Sequence, residues 1–157
     1  MSSNNSIVAS DEEIKSHIEN QVATRVAKSP IYAFLFTDCL RITECSKGLV
    51  RARITLEHRH MNSGGGIHGS VSATIVDWAG GMAIASYDLR DKTGLSVDIH
   101  VTYLSTAKEG ETIEIEGRAG RVGGSLAFTN IKITKVVDGE LGPIVATGTH
   151  TKYVQKR

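Results

Sequence analysis

The stretch Ile67-His68-Gly69-Ser70-Val71-Ser72-Ala73-Thr74-Ile75-Val76-Asp77-Trp78-Ala79-Gly80-Gly81-Met82-Ala83-Ile84-Ala85-Ser86-Tyr87 decides the fold. It has no proline, and apart from His68 its only acidic or basic side chain is Asp77, so it reads as a buried helix. Its small residues, among them Ala73, Ala79, Gly80, Gly81, Ala83 and Ala85, allow another backbone to come close. That suits a helix enclosed by a curved sheet or facing a partner helix. Gly80 and Gly81 each cost about 1 kcal/mol of helix propensity, so packing must support them. A lone carboxylate in such surroundings must be paired, neutralised or used chemically, which singles out Asp77.

Upstream, Ser10 and Glu13 have capping-box spacing ahead of a helix over residues 11–28, with Ile14, Ile18, Val22 and Val26 on one face, ended by Pro30. Strands are expected over 34–45 and 49–57, joined by a turn at Lys47-Gly48. Downstream, strands are expected over 95–103, with Val97, Ile99, Val101 and Tyr103 inward, and over 112–119, 126–136 and 144–154. Gly123-Gly124 and Asp138-Gly139 supply turns. The order predicts an α+β domain in which an antiparallel sheet wraps on one long helix, with an extra N-terminal helix. Residues 1–9 read as a loose segment and 10–157 as a single domain.

With 18 Lys+Arg against 17 Asp+Glu, the chain lacks the basic excess of a nucleic-acid binder; Lys152, Lys156 and Arg157 read as a solvated end. No apolar run reaches the roughly 18 residues of a membrane span, and no secretory pattern opens the chain. A soluble intracellular protein is expected, with Asp11, Glu12 and Glu13 arguing against a mitochondrial leader. Cys39 and Cys45, about 20 Å apart if extended, read as reduced structural residues. Gly64-Gly65-Gly66 lacks the Gly-Lys-Ser/Thr ending of a nucleotide loop, and His58, His60 and His68 lack the partners of a metal site, so no metal is expected.

Asn62, His68-Gly69 and Asp77, followed by Leu95-Ser96-Val97-Asp98-Ile99 and by Gly148-Thr149-His150-Thr151-Lys152, resemble the hotdog-fold acyl-CoA thioesterases. Within them the match is to the branch of the phenylacetyl-CoA thioesterases and the small eukaryotic acyl-CoA thioesterases. It runs from about residue 34 to 154. The resemblance implies a hydrolase of fatty-acid metabolism, cytoplasmic or mitochondrial, that cleaves acyl-CoA to free acid and CoA without metal or redox cofactor.

By the same resemblance Asp77 is the nucleophile or the general base, and the Gly69 N–H polarises the thioester carbonyl at a helix N-terminus. Asn62 positions water or the carboxylate, Ser96 orients the water, and His68 fixes the loop. Coenzyme A is expected along Tyr103, Leu104, Ser105, Thr106, Ala107 and Lys108, and along Arg121, Val122, Gly123, Gly124, Ser125 and Leu126. Lys152 and Tyr153 would lie near the phosphate end. Many relatives carry a second glycine after His-Gly where this chain has Ser70, which bears on substrate range. Trp78 reads as a core aromatic rather than an acyl-pocket wall.

Each residue also has a plainer reading: a structural carboxylate, a tight helix entry, a turn asparagine, a solvated basic surface. A noncatalytic acyl-CoA binding module is therefore the alternative function, and a hotdog dehydratase a lesser one. On one helix Gly69 and Asp77 stand about 12 Å apart along the axis and roughly 80° apart around it, so they cannot both touch one carbonyl. A shared site then needs a second subunit. This agrees with the homodimer, often paired again into a homotetramer, that the resemblance implies.

Overall fold

The computed structural model describes residues 8–155. Most of the expected loose segment, and the basic pair Lys156 and Arg157, lie outside the described residues.

The first helix, α1 (Asp11–Lys28), opens with the expected capping box: Ser10 Oγ accepts from the Glu13 N–H at 3.2 Å, and Glu13 Oε2 accepts from the Ser10 N–H at 2.8 Å. Acidic residues in the first turn and Arg25 and Lys28 in the last suit the helix dipole. Ile14 and Ile18 are buried in the core, and Val22 and Val26 pack against it.

Pro30 ends α1, yet the residues after it do not form the expected strand. They form a second helix, α2 (Pro30–Phe36), with Pro30 in its first turn. There its missing N–H costs nothing and its fixed φ favours the helix. The run Ile31-Tyr32-Ala33-Phe34-Leu35-Phe36 is strand-like in composition, but its burial is helical: Leu35 and Phe36 enter the core, while Tyr32 and Phe36, four apart, stack at 5.6 Å. The strand begins only at Leu40.

Six antiparallel strands follow: β1 (Leu40–Ser46), β2 (Leu49–Thr55), β3 (Leu95–Tyr103), β4 (Thr112–Val122), β5 (Leu126–Val137) and β6 (Glu140–Tyr153), in sheet order β1-β2-β4-β5-β6-β3. Along β2, Val50, Ala52 and Ile54 face the core, and Arg51 and Arg53 pair outside with Glu116 and Glu114 of β4. Asp138 and Gly139 both have positive φ, as a tight hairpin between β5 and β6 requires. Cys39 and Cys45 are free and buried.

The long helix α3 (Gly69–Asp88) lies on the concave side of the sheet and touches every strand. The small residues act as expected. A Cβ at Gly80 would stand 2.7 Å from His150 Nδ1 and 2.9 Å from Thr129 Oγ1, so only glycine lets the helix sit this close to β5 and β6. Trp78 is a core residue against Phe36, ring centroids 5.5 Å apart.

The facing of β3 differs from expectation. Val97, Ile99 and Tyr103 are exposed, and of the four residues expected inward only Val101 packs against the core. β3 is an edge strand bonded only to β6, and a bulge between Ser96 and Asp98 interrupts the alternation at Val97. Among the described residues no helix is long and apolar enough to cross a membrane.

Candidate active site

Asp77 projects from the third turn of α3 with its side chain about one-third exposed (31 %), and groups from three other elements converge on it. Ser96, next to the β3 bulge, donates its hydroxyl to Oδ1 at 3.4 Å. Tyr32 of α2 donates its phenol to Oδ2. His150 of β6, with no exposed surface, places Nε2 2.9 Å from Ser96 Oγ and 3.7 Å from Asp77 Oδ1. A carboxylate only accepts, so the single Ser96 proton goes to Asp77 and Nε2 must carry the proton that Ser96 accepts. The order is His150 to Ser96 to Asp77. Burial first, then the charge of Lys152, depress the pKa of His150 against the charge of Asp77 and backbone hydrogen bonds at Asp77 and Val76, which favours the neutral ring.

Lys152 is not where a solvated phosphate ligand would stand. It is 7 % exposed, on the inward face of β6. Burial lowers its pKa, Asp77 opposes that and Arg25 adds to it. The ammonium thus belongs to the surroundings of the carboxylate, whereas Tyr153, next along β6, faces out.

The remaining expected residues fall into two groups. At the start of α3, His68 is the N-cap: its Nδ1 accepts from the Ser70 N–H at 3.0 Å and lies 2.7 Å from Ser70 Oγ. Ser70 thereby helps to fix His68. The Gly69 N–H meets no acceptor among the described residues. Asn62 Oδ1 closes the Gly-rich loop by accepting from Gly64 and Gly66 at 2.9 and 3.2 Å.

The segment from Tyr103 to Lys108 runs beside this loop. Tyr103 donates to the Gly69 carbonyl at 3.1 Å, Ile67 donates to the Ala107 carbonyl at 2.8 Å, and Gly66 bridges Lys108. Leu104, Ser105 and Thr106 are exposed here, but Ala107 is fully buried and its side chain cannot line a ligand path. The second group runs from Arg121 and Val122 at the end of β4 through the turn Gly123, Gly124 and Ser125 to Leu126 at the start of β5. Leu126 stands across from Tyr153, which also pairs with Leu95 beside Ser96. A cleft of about 680 Å³ opens at this end, lined by Arg25, Arg90, Lys92, Leu95 and Tyr153 among others.

The expected residues therefore fall into two separate groups on one chain. Gly69, Asn62 and the 103–108 segment gather at the start of α3; Asp77, Ser96 and His150 gather further along it, with the 121–126 turn and Tyr153 at the β3 end next to Ser96.

Acyl-coenzyme A thioesterase 13 of Homo sapiens is 36% identical over 115 residues, 73% of this chain and 79% of that protein. The chain belongs to the thioesterase superfamily. The model of that superfamily matches residues 64–141, and membership makes the chain an enzyme that hydrolyses thioesters. The crystal structure of zebra fish thioesterase superfamily member 2 superposes with TM-score 0.75 at 31% identity, covering 92% of this chain and 98% of that one. The Escherichia coli PaaI protein, from the phenylacetic acid degradation operon, shares the fold with TM-score 0.69 at 14% identity, covering 91% and 97%. The sheet wrapped on α3 is the hotdog fold.

Sequence reasoning missed Tyr32 and His150 as neighbours of Asp77. His150 had a signal, since its parity along β6 matches Ala146, Gly148 and Lys152 and turns it toward α3. Tyr32 had none, because it lies between the expected helix over 11–28 and the expected strand over 34–45, in a stretch given no element.

Proposed function

We propose that this thioesterase hydrolyses acyl-CoA to a carboxylic acid and coenzyme A, with Asp77 as general base. Both Asp77 oxygens already accept hydrogen bonds, which blunts them as nucleophiles, while Oδ1 keeps a lone pair beside the Ser96 hydroxyl where water can be held. Water loses a proton to Oδ1 as its oxygen bonds to the thioester carbon. The carbonyl oxygen takes the negative charge and is stabilised by the unpartnered Gly69 N–H at the α3 N-terminus. As the tetrahedral intermediate collapses, the C–S bond breaks and the thiolate leaves with the proton that Asp77 returns.

The observation that carries this reading is the pair of half-sites on one helix. They lie about 12 Å apart along the axis, too far to serve one carbonyl, so the working site pairs Gly69 and Asn62 of one copy with Asp77 and Ser96 of another. A homodimer holds two such sites, and two dimers make the expected tetramer. In that site the 103–108 and 121–126 segments with Tyr153 would meet coenzyme A from two copies.

Thiol release from acyl-CoAs of graded chain length tests the function. Wild type should release thiol and Asp77→Asn should bind substrate without turnover; binding without thiol release by wild type would leave the noncatalytic module. Single turnover in heavy-oxygen water separates the two roles of Asp77. Label found only in the product acid supports the general base, and label in the Asp77 carboxylate means that Asp77 attacked.

A further inference from the structure

We infer that Tyr32, carried in by helix α2, is a positioning residue for the thioester hydrolysis: its phenol holds Asp77 Oδ2 and so fixes which carboxylate oxygen meets water. The inference rests on the function proposed above. A carboxylate held by one donor can swing about its Cβ–Cγ bond and exchange its oxygens. Here the donors come from opposite structural layers, Tyr32 from the N-terminal helices and Ser96 from the edge strand. Together they set the plane of the group and leave the second lone pair of Oδ1, the one that does not accept from Ser96, open to water.

The tyrosine is itself fixed. Its ring stacks on Phe36, which packs on Trp78, the residue after Asp77. The charged and titratable groups around the carboxylate are His150 and Lys152 from β6, with Arg25 of α1 acting on Tyr32 and Lys152. Burial, then the hydrogen bond to Asp77, then its charge push the phenol well above its ordinary range, with Arg25 opposing. The hydroxyl therefore stays protonated, and a donor, wherever Asp77 is ionised.

Tyr32→Phe keeps the stacked ring and removes only the hydroxyl. A hydrogen bond to a charged group of this kind corresponds to about a tenfold fall in kcat, with KM changing less than about twofold. A merely structural tyrosine would lower thermal stability and leave kcat and KM of the folded variant at their wild-type values. A folded Tyr32→Phe with wild-type kcat overturns the inference while thiol release by wild type upholds the proposed function.

A second readout needs no turnover. The ultraviolet phenolate titration of Tyr32, taken as the difference between proteins with and without Tyr32→Phe, should show it ionising at lower pH when Asp77→Asn is also present. An unchanged Tyr32 titration in the presence of Asp77→Asn overturns the contact even if Tyr32→Phe proves too unstable for kinetics. It also judges the contact should wild type release no thiol.

Discussion

Gly80→Ala sets two effects of known sign against each other. On helix propensity alone, alanine in the middle of α3 should stabilise the protein by about 1 kcal/mol. Packing says the reverse. The added Cβ would stand 2.7 Å from His150 Nδ1, 2.9 Å from Thr129 Oγ1 and 3.0 Å from His150 Cβ, all inside ordinary contact distance. His150 is fully buried and Thr129 donates to the His150 carbonyl at 2.8 Å, so neither can simply step aside. Relief requires α3 to lift off β5 and β6 by about half an ångström or more, an overpacking cost of about 1–3 kcal/mol that exceeds the propensity gain.

Asp77 is three residues before Gly80 on the same helix and moves with it, away from Ser96 and His150. Displacements of about 1 Å at a reacting group can cost about a hundredfold in rate. The expected result is a small loss of stability, of order 1 kcal/mol or about 2–4 °C in Tm, with a fall in kcat far larger than that loss suggests. Thermal unfolding and thiol release on the same preparation measure both. A variant that melts higher than wild type and keeps full kcat would refute the packing argument.

Gly69→Pro should fold, because Gly69 is the first residue of α3 and His68 before it is already extended, yet it removes the N–H assigned to the carbonyl; kcat should fall by about a hundredfold or more. Refolding it in equal mixture with Asp77→Ala should restore about a quarter of wild-type activity, since half the dimers are mixed and each mixed dimer keeps one intact site; no recovery in verified mixed dimers counts against the shared site. Ser96→Ala should lower kcat by about tenfold or more and destabilise by about 1–3 kcal/mol, because it strands the buried Nε2–H of His150; an unchanged melting curve would contradict that chain of donors. The depressed pKa of His150 makes the unfolded chain the better proton binder as pH falls through about 6.5, so stability present above that value is lost below it; His150→Gln should flatten this slope in denaturant unfolding at several pH values.

The long helix, the capping box of α1, most strands and the Asp138-Gly139 hairpin were legible because each rests on local pattern: period, cap chemistry, turn residues. Residues 30–36 were not. A run such as Ile31 to Phe36 suits a strand or a buried helical turn equally, and the arbiter is tertiary, the docking of Leu35 and Phe36 on the core. Strand β3 failed for another reason: alternation says which residues share a face but not whether the chain itself covers that face. In the candidate site, Asp77, Gly69 and Ser96 were marked by residue type in an unusual setting. The partners of Asp77 were not, because Tyr32 and His150 reach it across 45 and 73 residues of sequence.

The corner at Ser29 and Pro30 has a practical consequence. It turns the chain so that α1 anchors through Ile14 and Ile18 while α2 brings a phenol to the reacting carboxylate. A shortened protein starting at β1 would look economical, since all six strands and the long helix remain. It would nevertheless carry a different base, and rates or substrate preferences measured on it would describe that altered carboxylate rather than the intact enzyme.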